Sequence, residues 1–283
     1  MKRRTFIKQS MILATTPIIT NAGSSSSDVK IKFRLIRNAT VLLELGNTKI
    51  LVDPLFSKKF EMDPVPWSNE IRNPTVELPI NEAELSELIH STDLVLVTHT
   101  HRDHWDPRAQ QLIPKNKYIL CQSEDEEKIR QQGFINLDTR FETSFRDISF
   151  IKVGAQHGHG ELMEKMAPVS GFIIKWEGKT IYVAGDSVWS KVVAMNINSY
   201  QPDYIIVNAG AAQFNFGEPI TMTIEYVLQV AKSSKTSSKI IAVHMEAINH
   251  CAMKREDLKK ALQENGYVAR VSVPDDGQYI QLA

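Results

Sequence analysis

An aliphatic run passes directly into a cluster of histidines in the stretch Leu94-Val95-Leu96-Val97-Thr98-His99-Thr100-His101-Arg102-Asp103-His104. The first half is a short run of aliphatic residues, which is typical of a strand that is buried on both faces. The second half carries three imidazoles and one carboxylate, which are ligands that proteins use for zinc and also for manganese or iron. The stretch therefore predicts a core strand that ends in a metal-binding loop.

Further histidines and one aspartate follow other strand-like runs in the same way. They are His157, His159, Asp186, His244 and His250. Because functional side chains commonly stand at the ends of strands in sheet proteins, we expect some of these groups to join the histidine cluster. Two choices remain between neighbouring residues: His157 or His159, and His244 or His250. His244 is preferred in the second pair because it directly ends its strand.

Short apolar runs alternate with helix-like stretches along the chain, which predicts an α/β fold over residues 28–283. The predicted strands are 41–44, 49–52, 94–98, 118–121, 148–153, 171–176, 180–184, 204–208 and 240–243. The predicted helices are 81–89, 124–132, 221–231 and 255–265. A long loop with three prolines is predicted over 56–78, where it could cover a site.

Residues 1–27 have the composition of an export signal and a flexible leader. A basic start with the pair Arg3-Arg4 precedes an apolar segment at 11–19 and the small-residue exit at Ala22. This order is typical of a cleaved signal, and the two arginines favour the twin-arginine (Tat) export machinery. The sequence thus predicts a periplasmic protein, with no stable membrane span after the signal is removed.

The charge balance argues against a nucleic-acid partner. The whole chain has 33 basic and 33 acidic residues, and removal of the signal takes away four basic residues and no acidic one. The remaining chain is mildly acidic, whereas nucleic-acid binding needs a basic surface. A small-molecule or lipid-like substrate is expected instead.

The pattern His99-x-His101-x-Asp103-His104, followed by His157, Asp186 and His244, resembles the metallo-β-lactamase superfamily. The resemblance implies a four-layer αββα sandwich with two divalent metal ions at one edge, zinc being expected and manganese or iron the alternatives. It implies that His157 rather than His159 is a ligand. It also implies one ion on His99, His101 and His157, a second on Asp103, His104 and His244, Asp186 bridging them, and Asp53 orienting a ligand.

Finer features resemble one branch of that superfamily. The aspartate at position 186 differs from the enzymes that cleave lactam antibiotics, which lack an aspartate there. The segments Gln156-His157, Gly185-Asp186-Ser187 and Pro274-Asp275-Asp276-Gly277 are similar to the branch of ascorbate-6-phosphate lactonase and N-acylphosphatidylethanolamine phospholipase D. An ester, lactone or phosphodiester is therefore the expected substrate bond.

The hypothesis for the chemistry is hydrolysis by a metal-bridging hydroxide. Asp103 would orient the hydroxide and accept its proton, and His159 or His250 would donate to the leaving group or to a developing oxyanion. Two other classes fit the same histidines. One is a single-iron oxidoreductase of this fold, similar to persulfide dioxygenases, and the other is a non-catalytic envelope protein that retains metal.

Overall fold

Fourteen strands form two seven-stranded sheets in the computed structural model, which describes residues 30–282. The predicted export signal therefore lies outside the described residues. The first sheet contains β1 (Ile31–Arg37), β2 (Thr40–Leu45), β3 (Thr48–Val52), β4 (Leu94–Val97), β5 (Tyr118–Cys121), β6 (Leu137–Asp138) and β14 (Tyr279–Gln281). The second contains β7 (Glu142–Phe145), β8 (Ile148–Gly154), β9 (Ser170–Trp176), β10 (Lys179–Val183), β11 (Tyr204–Asn208), β12 (Lys239–Val243) and β13 (Val271–Ser272).

Seven α-helices accompany these sheets within residues 30–282. They are α1 (Glu82–Ser91), α2 (Pro107–Leu112), α3 (Glu126–Gln131), α4 (Gly160–Lys165), α5 (Lys191–Tyr200), α6 (Ile224–Ser233) and α7 (Arg255–Glu264). A single 3₁₀ turn, Ser123–Asp125, precedes α3. None of the described helices is both long enough and apolar enough to span a bilayer.

The layers are defined by three apolar cores. The central core joins the inner faces of the two sheets, with Phe33 and Leu96 from the first and Phe150 and Ile206 from the second. The outer face of the first sheet packs against α1, α2 and α3. The outer face of the second packs against α5, α6 and α7. This arrangement confirms the predicted four-layer αββα sandwich.

Local sequence explains why the elements begin where they do. The side chain of Asn81 accepts hydrogen bonds from the backbone N–H groups of Ala83 and Glu84, which makes Asn81 the cap of α1 rather than its first residue. Helix α5 escaped prediction because it is rich in β-branched residues and asparagine, which are weak helix formers. It is stabilised by packing of Val193 and Ile197 and by the amide of Asn196, which donates to the carbonyl of Gly154.

The order of strands brings several strand ends to one edge of the sandwich. In the first sheet β3, β4, β5 and β6 run parallel, and in the second β10, β11, β12 and β13 run parallel. Parallel strands end at the same edge of a sheet, and loops at that edge commonly carry the functional groups. Asp53 and His99 follow strands of the first sheet, and Asp186 and His244 follow strands of the second.

Candidate metal centre

Buried Asp53 organises the loop that follows β4. One carboxylate oxygen accepts from the backbone N–H of Thr98 at 2.7 Å, and the other accepts from the Thr98 hydroxyl at 2.7 Å. The second oxygen also accepts from Nδ1 of His104 at 2.9 Å. Because the Thr98 hydroxyl donates to Asp53, it is free to accept from Nδ1 of His99 at 3.1 Å. Asp53 thus orients one histidine directly and a second through a hydroxyl.

One group of potential ligands consists of His99, His101 and His157, whose nitrogen atoms lie within 4.8 Å of one another. Nε2 of His99 and Nδ1 of His101 approach to 2.9 Å. His157 reaches the group from the second sheet, where its Nδ1 donates to the carbonyl of Ile220 at 2.9 Å. Its Nε2 is thereby left with a lone pair that faces the other imidazoles.

A second group consists of Asp103, His104, Asp186 and His244, whose ligand atoms also lie within 4.8 Å of one another. Nε2 of His244 lies 3.0 Å from Oδ2 of Asp103 and 3.2 Å from Nε2 of His104. Asp186 lies between the two groups. Its Oδ2 is 3.3 Å from Nε2 of His104 and 3.6 Å from Nε2 of His157.

The chemistry of these donors fits divalent metal ions. In His99, His104 and His157 the nitrogen remote from the site has a hydrogen-bond acceptor, so the near nitrogen is available as a ligand. Two carboxylates complete a set of five imidazoles and two carboxylates, which suits zinc, manganese or iron. The structure brings together all seven ligands predicted from sequence, and their binding of ions stays a prediction.

Burial keeps one group of imidazoles neutral. It lowers the pKa of His99 well below its usual value, and the neighbouring imidazoles of His104 and His101 add to this effect. Burial, assisted by His157, lowers the pKa of His101 to about 4. Burial also lowers the pKa of His157. Neutral imidazole is the form that binds metal, so these three side chains are ready for an ion at neutral pH.

In the second group, interactions between charged side chains outweigh burial in setting the pKa values. Burial would raise the pKa of Asp186, but the imidazoles of His104 and His244 outweigh it and hold this pKa well below the usual range. Burial would likewise lower the pKa of His104, but the carboxylates of Asp186 and Asp103 outweigh it and raise this pKa. In the metal-free protein, protons on the histidines thus balance the buried carboxylates, and an ion would replace those protons.

The structure separates the pairs of histidines that the sequence left open. His159 lies outside both groups, and its Nε2 is 3.1 Å from the hydroxyl of Tyr226. His250 also lies outside both groups, but it lines the cavity beside them. Its ring stacks on Phe214 with 6.1 Å between centroids. His157 and His244 are therefore the members of each pair that stand among the other potential ligands.

Replacing His157 with alanine should reduce metal content and turnover, whereas replacing His159 should preserve metal content. The loss of one ligand is expected to weaken metal affinity about 100-fold or more, since even residues that only orient ligands contribute about 10- to 100-fold. Metal analysis of the two purified variants compares them directly. Normal metal content in the His157 variant, with loss in the His159 variant, would reverse the assignment.

Strained backbone and close packing fix the positions of two of these residues. Asp53 and His244 both have positive φ, at 44° and 64°, which is uncommon for residues with a side chain. The backbone of Gly210 packs directly against His244. A Cβ at position 210 would lie 2.2 Å from the carbonyl oxygen of His244 and 2.8 Å from Sγ of Cys251.

The substitution Gly210→Ala should therefore displace His244. We expect a loss of about 1–3 kcal/mol in the free energy of unfolding, as for other overpacked sites, together with reduced metal content. Gly178→Ala is the control for metal content, because an alanine there strains a backbone with a φ of 71° but meets no atom within 4 Å. Urea unfolding and metal analysis of both variants test this. Equal metal content in the two would contradict the proposed role of the close contact.

Several supporting residues carry no recognisable signal in the sequence. The amide of Asn208 donates to Oδ1 of Asp186 at 2.6 Å, and the amide of Asn38 donates to the backbone carbonyl of Asp103 at 3.1 Å. Sγ of Cys251 lies 3.5 Å from Nδ1 of His244. Asn208 ends β11, so the rule that pointed to the other strand ends could have found it. Asn38 and Cys251 lie in loops that only the tertiary fold brings here.

A cavity of about 360 Å³ opens onto both groups of ligands. Its polar floor includes His101, Asp103, His157 and Asp186. Its walls are largely apolar and come from the segments 62–67 and 165–167 together with Phe214, Ile220, Ile248 and His250. The first of these segments belongs to the predicted proline-containing loop. A cavity of this size suits a small organic molecule.

Known proteins share this fold. Residues 48–245 match the model of the beta-lactamase superfamily domain. The UPF0173 protein YddR of Bacillus subtilis (strain 168) is 36% identical over 249 residues, which cover 86% of this chain and 96% of YddR. A UPF0173 metal-dependent hydrolase of Sulfolobus acidocaldarius is 22% identical and covers 89% of this chain and 99% of its own.

Two solved structures are similar over nearly the whole described chain. The isothiocyanate hydrolase from Delia radicum gut bacteria is 35% identical with a TM-score of 0.82, covering 88% of this chain and 98% of its own. A possible metal-dependent hydrolase from Veillonella parvula DSM 2008 is 34% identical with a TM-score of 0.84, covering 89% and 99%.

Fold, centre and relatives together define a metal-dependent hydrolase. The chain belongs to the metallo-β-lactamase superfamily and, within it, to the UPF0173 family of metal-dependent hydrolases.

Proposed function

We propose that the protein hydrolyses an electrophilic carbon in a small, largely apolar molecule, and that an isothiocyanate is the first substrate class to consider. The observation that carries this proposal is the cavity, which sets apolar walls directly against the histidine and aspartate floor. The choice of substrate class is supported by the similarity to the isothiocyanate hydrolase from Delia radicum gut bacteria, which aligns over 98% of its length with a TM-score of 0.82.

The proposed cofactor is a pair of divalent ions, with zinc first and manganese or iron as alternatives. His99, His101 and His157 would hold one ion, Asp103, His104 and His244 the other, and Asp186 would contact both. Such ions lower the pKa of a bound water toward neutrality and so supply a nucleophile. The remaining steps depend on side chains that face the cavity.

Asp103 is the proposed residue that orients the attacking water and accepts its proton. Its Oδ2 is fixed at 3.0 Å from Nε2 of His244, and its backbone carbonyl accepts from Asn38. The carboxyl is ionised, because the imidazole of His104 outweighs the opposing effect of burial and holds the pKa of Asp103 well below its usual value. An ionised carboxylate at the cavity floor can accept a proton.

His250 is the proposed hydrogen-bond donor to the departing heteroatom. Burial lowers its pKa to about 4, so the ring is neutral at pH 7 and carries one N–H. Its Nδ1 is buried without a hydrogen-bond partner among the described residues. With an isothiocyanate, water oxygen would bond to the central carbon, and the nitrogen would take up both water protons as its bond to carbon breaks. The products are a primary amine and carbonyl sulfide, which balances the addition of one water.

A second candidate is an ester, lactone or phosphodiester, as the resemblance to the lactonase and phospholipase D branch implies. Arg102, Lys128 and Lys165 line the same cavity and favour this alternative. Cationic side chains suit a phosphate or carboxylate group of a substrate. The two candidates differ in whether substrate charge is recognised beside the metal centre.

The proposal is tested by metal analysis of the purified protein, together with turnover of isothiocyanates, carboxylic esters, lactones and phosphodiesters. His101→Ala should abolish activity on the substrate found, while His90→Ala, a change at an exposed position on α1, should not. Full activity of metal-loaded His101→Ala would overturn the mechanism. A single iron with thiol oxidation would select the oxidoreductase class, and bound metal without any turnover would select the non-catalytic protein.

We also propose that the chain is exported through the twin-arginine machinery to the periplasm. The support is the order of basic, apolar and small residues in the first 22 positions. Conservative replacement of both Arg3 and Arg4 with lysine should leave the protein inside the cell, because the export machinery reads the arginine pair. Cell fractionation of the full chain and of this variant compares the two. Equal periplasmic amounts would contradict this route.

A further inference from the structure

Three aromatic rings are in contact beside the cavity, and the proposed reaction does not use them. Two of them, Trp67 and Phe214, line the cavity. Trp67 is 68% exposed and Phe216 is 52% exposed, while Phe214 is half-buried between them. The ring of Trp67 lies edge-on to Phe214 at 6.4 Å and to Phe216 at 6.1 Å. Phe214 and Phe216 stack with 5.7 Å between centroids. We call these three residues the aromatic rim.

The aromatic rim continues inward to the metal centre. Phe214 stacks on His250 at an interplanar angle of 25°. Trp67, Phe214 and His250 all line the cavity whose floor contains Asp103 and Asp186. A row of ring faces therefore leads from solvent to the place where hydrolysis is proposed.

Hydrogen bonds hold the loops of the aromatic rim together. The backbone N–H of Asn215 donates to the carbonyl of Trp67 at 2.7 Å, and its side chain donates to the carbonyl of Ser68 at 3.2 Å. The Trp67 loop is also tied to the segment before His250 by the side chain of Asn249. This side chain accepts from the N–H of Val65 at 3.1 Å and donates to the hydroxyl of Ser68 at 2.7 Å.

This combination points to a ligand rather than to stability. A single exposed apolar side chain is ordinary, but three rings in mutual contact, two of which line a cavity, form a patch of the kind that binds other molecules. Trp67 also holds a positive φ of 55°, an uncommon conformation for a tryptophan. The fold thus holds the backbone of an exposed tryptophan in an unfavourable conformation beside the potential metal ligands.

We propose that the aromatic rim is an aryl-binding subsite, which selects substrates that carry one aromatic ring a short linker away from the electrophilic carbon. The selection of substrate rests on the proposed function, but the binding of a ring does not. The cavity volume of about 360 Å³ accommodates a single ring with a short linker. Ring faces at the rim favour an aromatic partner over a saturated one of equal size, because stacked and edge-on contacts add to simple apolar burial.

Binding is tested without catalysis, using benzyl alcohol and cyclohexylmethanol as probes of matched shape. Ligand-observed NMR on the metal-loaded protein should show about two- to tenfold tighter binding of the benzyl compound. Trp67→Ala and Phe214→Ala should remove this preference, and Trp67→Phe should retain most of it. Phe141→Ala is the control, since Phe141 is 64% exposed and does not line the cavity. Equal binding of the two alcohols, or an unchanged preference in both alanine variants, would overturn the proposal.

Selection is tested by the kinetics of benzyl and ethyl isothiocyanate. The wild type should favour the benzyl compound in kcat/KM by about tenfold or more, mostly through KM, and Trp67→Ala should reduce this ratio without changing metal content. Turnover of both compounds without a benzyl preference would refute the subsite and leave the reaction class intact. Preferential binding of benzyl alcohol without isothiocyanate turnover would support the subsite and refute the isothiocyanate reaction. Benzyl and ethyl esters would then be compared in the same way.

Discussion

Alanine in place of Asp186 should abolish turnover and release bound metal. Oδ2 of this carboxylate lies 3.3 Å from Nε2 of His104, 3.6 Å from Nε2 of His157 and 3.9 Å from Nε2 of His99. It therefore faces both groups of ligands, and its loss leaves two clusters of imidazole without the charge between them. We expect turnover to fall by about 10³-fold or more, with metal content measured by elemental analysis falling in parallel.

The variant Asp186→Asn distinguishes the effect of losing the negative charge from the effect of losing the side-chain volume. Asparagine keeps the volume and can still accept the hydrogen bond from Asn208, which is 2.6 Å long in the wild type. This variant should fold normally, as judged by circular dichroism, while losing metal and activity nearly as fully as the alanine variant. An Asp186→Ala protein with normal metal content and normal turnover would contradict the central position given to this carboxylate.

The second large effect is expected for Asp53→Ala, and it concerns stability as well as metal. The side chain accepts three hydrogen bonds: two from Thr98 and one from His104. Removing the acceptor leaves buried donors without partners, which costs about 3–5 kcal/mol for a buried charged network. Metal affinity should also fall by about 10- to 100-fold, because His104 loses the group that orients it.

Urea unfolding with and without a chelator separates these two effects. In the presence of chelator the difference between wild type and Asp53→Ala reports the hydrogen-bond network alone. Thr98→Ser is the matched control, because it keeps the hydroxyl that donates to Asp53 and accepts from His99. If Asp53→Ala unfolded at the same urea concentration as the wild type, the network would contribute nothing to folding.

The α/β class and the positions of the potential ligands were predictable because they depend on local patterns, whereas the four-layer arrangement was implied by the resemblance to the metallo-β-lactamase superfamily. A buried aliphatic strand followed by His99-x-His101-x-Asp103-His104 has few other interpretations, and the same strand-end rule gave Asp186 and His244. Strands near the edges of the two sheets were harder to predict. The alternating pattern of β1, with Ile31, Phe33 and Leu35 buried, is also local, but the predicted strands do not include it. The short β6 and β13 depend on pairing with their neighbours, which local sequence does not record.

Residues positioned by hydrogen bonds to distant parts of the sequence were the least predictable part of the site. His157 and His159 have nearly identical surroundings in sequence, and only the carbonyl of Ile220, 63 positions away, turns one of them toward the centre. Asn249 could not be recognised as the residue that holds the Trp67 loop, because its partners lie more than 170 positions earlier. Long-range hydrogen bonds of this kind leave no periodic trace along the chain.

The division of the ligands between the two sheets has a consequence for unfolding. His99 and His104 stand on the first sheet, and His157, Asp186 and His244 stand on the second. Ions bound at this seam would cross-link the two halves of the sandwich, and the unfolded chain would not reproduce their site. By mass action, free metal at 100 times its dissociation constant would then add about 2.7 kcal/mol per ion to the free energy of unfolding. The metal supply of the compartment would thereby set the thermal stability of the whole sandwich as well as its activity.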